Sequence, residues 1–251
     1  MLNYLTPREI IAHPGLRIVL VQGLPSPWGQ AAKTIFEIKG LDYVAAPLVA
    51  GGTNDELVAW AGENSGPLVA WADEKPIHRW LDILHLAERL APTPALIPED
   101  AMERALMIGL SNEICGELGI GWNRRLQLFA PLMGGGAPPE GVARMGAKYR
   151  YNTADAAAAA QRTAASIRAL DAQLARGGRY FIGDRLSALD VYWAAFMNLL
   201  LPLPKEQCPM PEDWRPGFVA RDPEIIAALT PALVAHRDRI FAAHFRDPME
   251  F

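Results

Sequence analysis

The run Gly183-Asp184-Arg185-Leu186-Ser187-Ala188-Leu189-Asp190, continued by Val191-Tyr192-Trp193-Ala194-Ala195-Phe196, decides how this chain folds. Ser187 and Asp190 have the S-x-x-D spacing of a capping box, in which each side chain satisfies a backbone N–H of the first helical turn. Leu186 before the cap and Val191 at the fourth helical position are where a hydrophobic staple closes. The helix that follows is apolar almost all round, so it belongs in the middle of a helical domain.

Working outward, the neighbouring stretches are helical too. An Ala-rich helix is expected over 153–175, where five consecutive alanines are good helix formers. Pro98-Glu99-Asp100 starts a long helix through Ala105, Ile108 and Ile114, reaching Phe129. Pro131-Leu132-Met133-Gly134-Gly135-Gly136-Ala137-Pro138-Pro139 cannot continue it and reads as a loop. Beyond the buried helix, 202–223 is proline-rich and irregular, and a last helix over 223–245 is interrupted at Thr230-Pro231.

Toward the N-terminus the pattern changes. Leu16-Arg17-Ile18-Val19-Leu20-Val21-Gln22 reads as a buried strand ending at Gly23. Ser26-Pro27 opens a helix, since Ser is a preferred N-cap and Pro suits the first helical position. Ala31, Ile35 and Ile38 share one face, and Gly40 ends the helix. A second strand is expected at 42–48 and a short helix within 51–63. A hairpin of 67–71 and 75–78 turns around Asp73-Glu74, and a helix over 80–90 follows. Ala91-Pro92-Thr93-Pro94-Ala95-Leu96-Ile97-Pro98 is a proline-stiffened linker. The expected domains are therefore 16–90, α/β, and 99–251, all-α, joined by 91–98, with residues 1–15 as an N-terminal extension.

Strand, helix, strand, short helix, two strands, helix is the order of a thioredoxin-like domain. With the Gly-Asp-x-x-Ser-x-x-Asp run in a helical second domain, the chain resembles the glutathione transferase superfamily. Phe36-Glu37-Ile38-Lys39-Gly40-Leu41-Asp42-Tyr43 looks like the end of that family's first helix and its second strand, and Leu86-Ala87-Glu88-Arg89 like the end of its third helix. The resemblance covers residues 16–245. It implies a cis-proline at Gly66-Pro67, glutathione as co-substrate, a small electrophilic apolar partner substrate and a homodimer.

Composition narrows the alternatives. A formal net charge of −4 gives no basic footprint for nucleic acid. Cys115 and Cys208 form no CxxC and no disulfide framework, which suits a reducing cytoplasm. The N-terminus lacks the basic and apolar regions of a signal peptide, and 191–203 is too short to span a membrane. His78, His85, His236 and His244 lack zinc-ligand spacing, so no metal is expected. Gly134-Gly135-Gly136 follows no strand and is not a phosphate loop.

The resemblance carries a site with it. Ser26-Pro27-Trp28 looks like the S-P-x start of the Ser-type classes, making Ser26 the residue whose hydroxyl donates to the glutathione thiolate. Its plain alternative is a helix cap. Trp28, Gly66 and Pro67 would border glutathione, Gly66 through its backbone. Family members carry an acid or amide followed by Ser at the end of the hairpin; here His78-Arg79, or Arg79-Trp80 in the neighbouring register, stands there. Neither supplies an acid or a hydroxyl, although Arg79 suits a carboxylate. Trp122 and Arg125 fall on the helix that lines the family's electrophile pocket. Adjacent Arg124 and Arg125 otherwise read as a solvated face. Three functions are compatible with these residues: a Ser-type transferase, a non-catalytic binding or interaction protein of the same fold, and an enzyme of a different thiol or acidic ligand.

Overall fold

The computed structural model describes residues 2–251. They divide into two units. The first contains the chain up to Ala95 together with Pro204–Pro211 and His244–Phe251, and the second contains Leu96–Leu203 and Glu212–Ala243. The two added segments lie within 99–251, which the sequence treats as one helical domain.

In the first unit, β1 (Arg17–Val21) is central, parallel to β2 (Val44–Leu48) and antiparallel to β3 (Leu68–Ala70). The expected second arm of the hairpin shrinks to a single bridge between Val69 and Ile77. Pro76 has no N–H to extend that ladder, which limits strand growth there. α2 (Pro27–Ile38) connects β1 to β2. It ends in a Schellman turn, with Leu41 N–H on the Phe36 carbonyl and Gly40 N–H on that of Glu37, and Gly40 takes φ +64°. Leu20 of β1 faces α2, where only Gly29 leaves room for it: a Cβ there would stand 3.0 Å from Leu20 Cδ2. α4 (Trp80–Leu90) packs beside α2. The buried Lys39 ammonium joins the two ends, meeting Glu88 Oε1 at 2.7 Å and the Ala91 and Pro94 carbonyls at 2.8 Å each.

The opposite face of the sheet is covered by α1 (Pro7–Ala12) and α3 (Asp55–Ala61). Ile10, Val19, Ala46, Leu48, Leu57 and Leu68 form one core cluster there. Residues 1–15 are thus more than an extension: Ile10 is wholly buried, Leu5 N–H bonds the Ala45 carbonyl, and Thr6 and Glu9 close a capping box. The reason is local chemistry, since the box starts a helix whose Ile10 has an apolar sheet face to cover.

The second unit is helical. The long helix expected from residue 100 is two helices, α5 (Ala101–Cys115) and α6 (Ile120–Met133). The break lies at Gly116 to Gly119, with Leu118 left-handed at φ +59°. Gly119 seats against α5 so closely that a Cβ would come 2.7 Å from the carbonyl oxygens of Asn112 and Glu113. Backbone cannot yield as a side chain does, so Gly119→Ala is expected to cost about 2–3 kcal/mol in urea unfolding. A loss under about 0.5 kcal/mol would mean that the two helices slide apart freely.

α6 runs through Pro131 to Met133, four residues past Phe129, where the sequence has it end. α7 (Glu140–Lys148) follows, between the glycine loop and the Ala-rich helix, where the sequence pattern assigns no element. α8 (Thr153–Leu174) packs on α6, and α9 (Ala188–Phe196) packs on α5 with every residue buried. The capping box of Ser187 and Asp190 is formed. α10 (Arg215–Phe218) interrupts the irregular segment, and α11 (Pro223–Ala228) and α12 (Pro231–His244) divide at Thr230-Pro231.

Candidate functional site

One edge of the β-sheet collects the glutathione residues expected from sequence. β1 and β2 are parallel and end together, Val21 opposite Leu48. β3 begins at that edge, because Val19 pairs with Leu68 in the antiparallel ladder. Gly66 lies against Val21; a Cβ there would stand 3.1 Å from Val21 Cγ2. The bridge of Ile77 to Val69 sends His78 and Arg79 back toward the same edge. The loops 22–26, 49–54 and 62–67 and the start of α4 therefore leave the sheet side by side.

Ser26 is the N-cap of α2 and is 8% exposed. Its main chain is engaged: the N–H bonds the Leu24 carbonyl at 2.8 Å, and the carbonyl accepts from Gln30 at 2.9 Å. Its hydroxyl makes no capping bond. The side chain is thus not spent on folding the helix, and it stands at the positive end of a 12-residue dipole. Trp28, half-buried, follows in the first turn. Gly66-Pro67 is cis, as the resemblance implies.

The loops around this edge are tied together by two asparagines that the sequence reading passes over. Asn54 takes φ +52° and donates from Nδ2 to the Val49 carbonyl at 3.0 Å and to Asn64 Oδ1 at 2.9 Å. Asn64 Nδ2 donates to the Gly52 carbonyl at 2.9 Å. The backbone leading into Gly66 is thereby fixed to the loop after β2. Asn-Gly-rich turn chemistry is the only signal of it in the sequence.

His78 is half-buried, and Arg79 is the exposed N-cap of α4, where it makes no side-chain cap bond. The acid of the first turn of α4 is Asp82, which is exposed and stands on Arg79's side of the helix.

Trp122 and Arg125 lie on α6, in the second unit. The Trp122 ring meets Tyr149 edge-on, centroids 5.0 Å apart, and Phe129 stands 5.9 Å from the Tyr149 ring. The Arg125 guanidinium stacks on Phe218 at 5.6 Å. Tyr149 is buried, which pushes its phenol above the usual value against the pull of Arg125. Arg124 corrects the expectation of a solvated face. It is buried, with Nε on the Leu199 carbonyl at 2.9 Å and Nη2 facing the carbonyls of Gly217 and Val219 at 3.4 Å. Burial, and then the neighbouring Arg125, lowers it to about 10. Its work is to gather irregular backbone onto α6, because an arginine fork can serve several carbonyls at once.

Among the described residues no group of three His, Cys, Asp or Glu side chains is placed to hold a metal, and no helix is long and apolar enough to cross a membrane.

No protein-family model and no curated protein matches this sequence. Solved structures do. A glutathione S-transferase from Xanthobacter autotrophicus is 17% identical with a TM-score of 0.60, covering 93% of this chain and 96% of its own. A β-etherase from Sphingobium is 18% identical at a TM-score of 0.61, covering 90% and 95%. A rice glutathione transferase, solved in complex with glutathione, is 21% identical at 0.60, covering 93% and 92%. At such identities the shared property is the fold.

Proposed function

We propose that this chain, which has the glutathione transferase fold, binds glutathione at the sheet edge and adds its thiolate to a small, mostly apolar electrophile. The observation that carries this reading is Ser26: a nearly buried residue at the start of α2 whose hydroxyl makes no capping bond, on a loop that leaves the same end of the sheet as cis Gly66-Pro67. A Ser hydroxyl stays protonated, so Ser26 acts as a donor and the bound thiol is the nucleophile. Lowering a thiol from about 8.5 by two units requires roughly 2.7 kcal/mol of preference for the thiolate. One hydroxyl bond to the charged sulfur and the α2 dipole are suited to supply it. Gly66 offers backbone groups to the cysteinyl part, and Trp28 borders it. His78 and Arg79 meet the γ-glutamyl end, with Arg79 on its carboxylate. The working form we propose is a cytoplasmic homodimer.

Ser26→Ala tests this directly. Glutathione is expected to bind the wild type saturably in titration calorimetry, with thiolate absorbance near neutral pH. The alanine variant is expected to keep binding while losing that absorbance and about 10- to 100-fold of the conjugation rate. Equal thiolate in both proteins would dismiss Ser26 from the role.

A second reading has its own observation. Arg79 occupies the start of α4 without an acid or hydroxyl in its register pair, and it opposes the ammonium group of a γ-glutamyl moiety. Absence of any glutathione binding would favour a non-catalytic interaction protein of this fold. Selective binding of an acidic ligand without an amino group would favour the third function instead.

A further inference from the structure

Within the first unit, residues 244–251 are held against α2 by a row of polar contacts. Arg246 Nε meets Glu37 Oε1 at 2.8 Å, and its Nη1 meets Glu250 Oε2 at 2.6 Å. Lys33 Nζ and Gln30 Nε2 both donate to the Glu250 carbonyl, at 2.8 and 2.9 Å. Met249 N–H bonds the Gln207 carbonyl at 2.8 Å, and Gln207 Nε2 donates to Asp247 Oδ2 at 3.1 Å. Lys33 and Gln30 are both buried. A carbonyl has two lone pairs, and here both are used by buried donors that would be costly to leave unpaired.

The order of these contacts gives the segment a direction. Glu37, Lys33 and Gln30 are spaced four and three residues apart and so share a stripe of α2, which Ser26 continues four residues further on. Residue 246 meets the Glu37 end and residue 250 meets Lys33 and Gln30, so the segment runs opposite to the helix. From Gln30 to Ser26 the helix rises about 6 Å. One further extended residue advances about 3.3 Å, and an aromatic side chain spans the remainder.

We infer that residues 244–251 form a fixed strap along α2 that carries Phe251 to the Ser26 turn, where its ring walls the thiol site and limits the size of the electrophile. Gln30 and Lys33 are positioning residues of this strap, and Phe251 is specificity-determining. The wall role rests on the transferase reading of Ser26; the strap does not.

Cross-linking separates the two. With the buried Cys115 and Cys208 replaced by serine, the cysteines introduced by Ser26→Cys and Phe251→Cys are the one pair in the chain. Dibromobimane is expected to join them within one chain, giving a fluorescent adduct of the expected mass. Adding Lys33→Met and Gln30→Leu removes both donors and is expected to reduce the adduct about tenfold. No adduct, or one indifferent to the donors, overturns the strap. Should the cysteine protein fail to fold, hydrogen exchange decides: the Met249 amide is expected to lose protection in Lys33→Met/Gln30→Leu, and unchanged protection overturns the strap. With glutathione and aryl halides of increasing size, Phe251→Ala is expected to lower KM for the largest about fivefold while kcat holds. An unchanged size profile overturns the wall role. An adduct in the cysteine protein together with a wild type that binds no glutathione would keep the strap and reject the thiol site it walls.

Discussion

Asp190→Ala is expected to cost more than about 5 kcal/mol, enough to leave the chain unfolded at room temperature. Asp190 is 0% exposed, and its two oxygens take four donors. Oδ2 accepts from the Ser187 N–H at 2.9 Å and the Ser187 hydroxyl at 2.8 Å. Oδ1 accepts from the Phe181 N–H at 3.0 Å and from His236 Nε2 at 2.9 Å. His236 Nδ1 meets Arg239 Nη2 at 2.7 Å, which leaves Nε2 as the imidazole donor. Alanine would orphan all four groups inside a core with no access to water, at about 1–3 kcal/mol each. Asp190→Asn keeps one acceptor oxygen but turns an NH₂ toward two donors, so about half that loss is expected. Urea unfolding followed by tryptophan fluorescence measures both. Trp193, in the same helix and bonded through Nε1 to the Leu233 carbonyl at 3.1 Å, lies close to the change. A loss below about 2 kcal/mol for the alanine variant would show that the loop and helix can re-pair without the carboxylate.

Stability is expected to rise between pH 8 and 10.5 through Lys33, by about 3 kcal/mol. Burial lowers this ammonium from 10.5 to about 8, against the favourable charges of Glu37 and Glu250 and with the opposing charge of Arg246 nearby. The sign follows from proton counting. Between the two values the unfolded chain holds the proton and the folded one does not, so raising the pH favours the fold. The contribution is complete above 10.5 and is lost as pH falls through 8. Other groups titrate in the same window, so the informative quantity is the difference between wild type and Lys33→Met at each pH. That difference is expected to shift toward the wild type by about 3 kcal/mol from pH 8 to 10.5. A constant gap would mean that Lys33 titrates like an exposed lysine.

The sequence was most readable where local chemistry and burial agree. The box at Ser187 and Asp190, the Pro27 start and Gly40 stop of α2, and the limits of α4 all combine a cap or breaker with apolar periodicity. Thr6-Pro7-Arg8-Glu9 has the same box spacing and was legible in principle, but six residues give too short a period to show a buried face. The α5–α6 break was hidden because the apolar pattern continues through it. Only the close approach of Gly119 to two carbonyls reveals why the helix stops. At the site, sequence could nominate Ser26, Gly66, Pro67 and Arg79 individually. The register that gathers them at one sheet edge is a tertiary fact. The Asn54–Asn64 tie and the meeting of Lys33 and Gln30 with Glu250 join residues 10 to 220 positions apart, beyond any local pattern. Arg124 was misread because its partners are main-chain carbonyls, which no side-chain pattern announces.

The Glu250 carbonyl also sets an order of events during synthesis. Domains fold largely as they emerge from the ribosome, N-terminal parts first. The sheet and α2 are made early, yet Gln30 and Lys33 have no Glu250 acceptor until residue 250 has been polymerised, after the whole of the second unit. Throughout that interval the first unit carries two donors without this acceptor on the helix that begins at Ser26. The helix that begins at Ser26 is therefore completed only after the second unit that follows it in the chain.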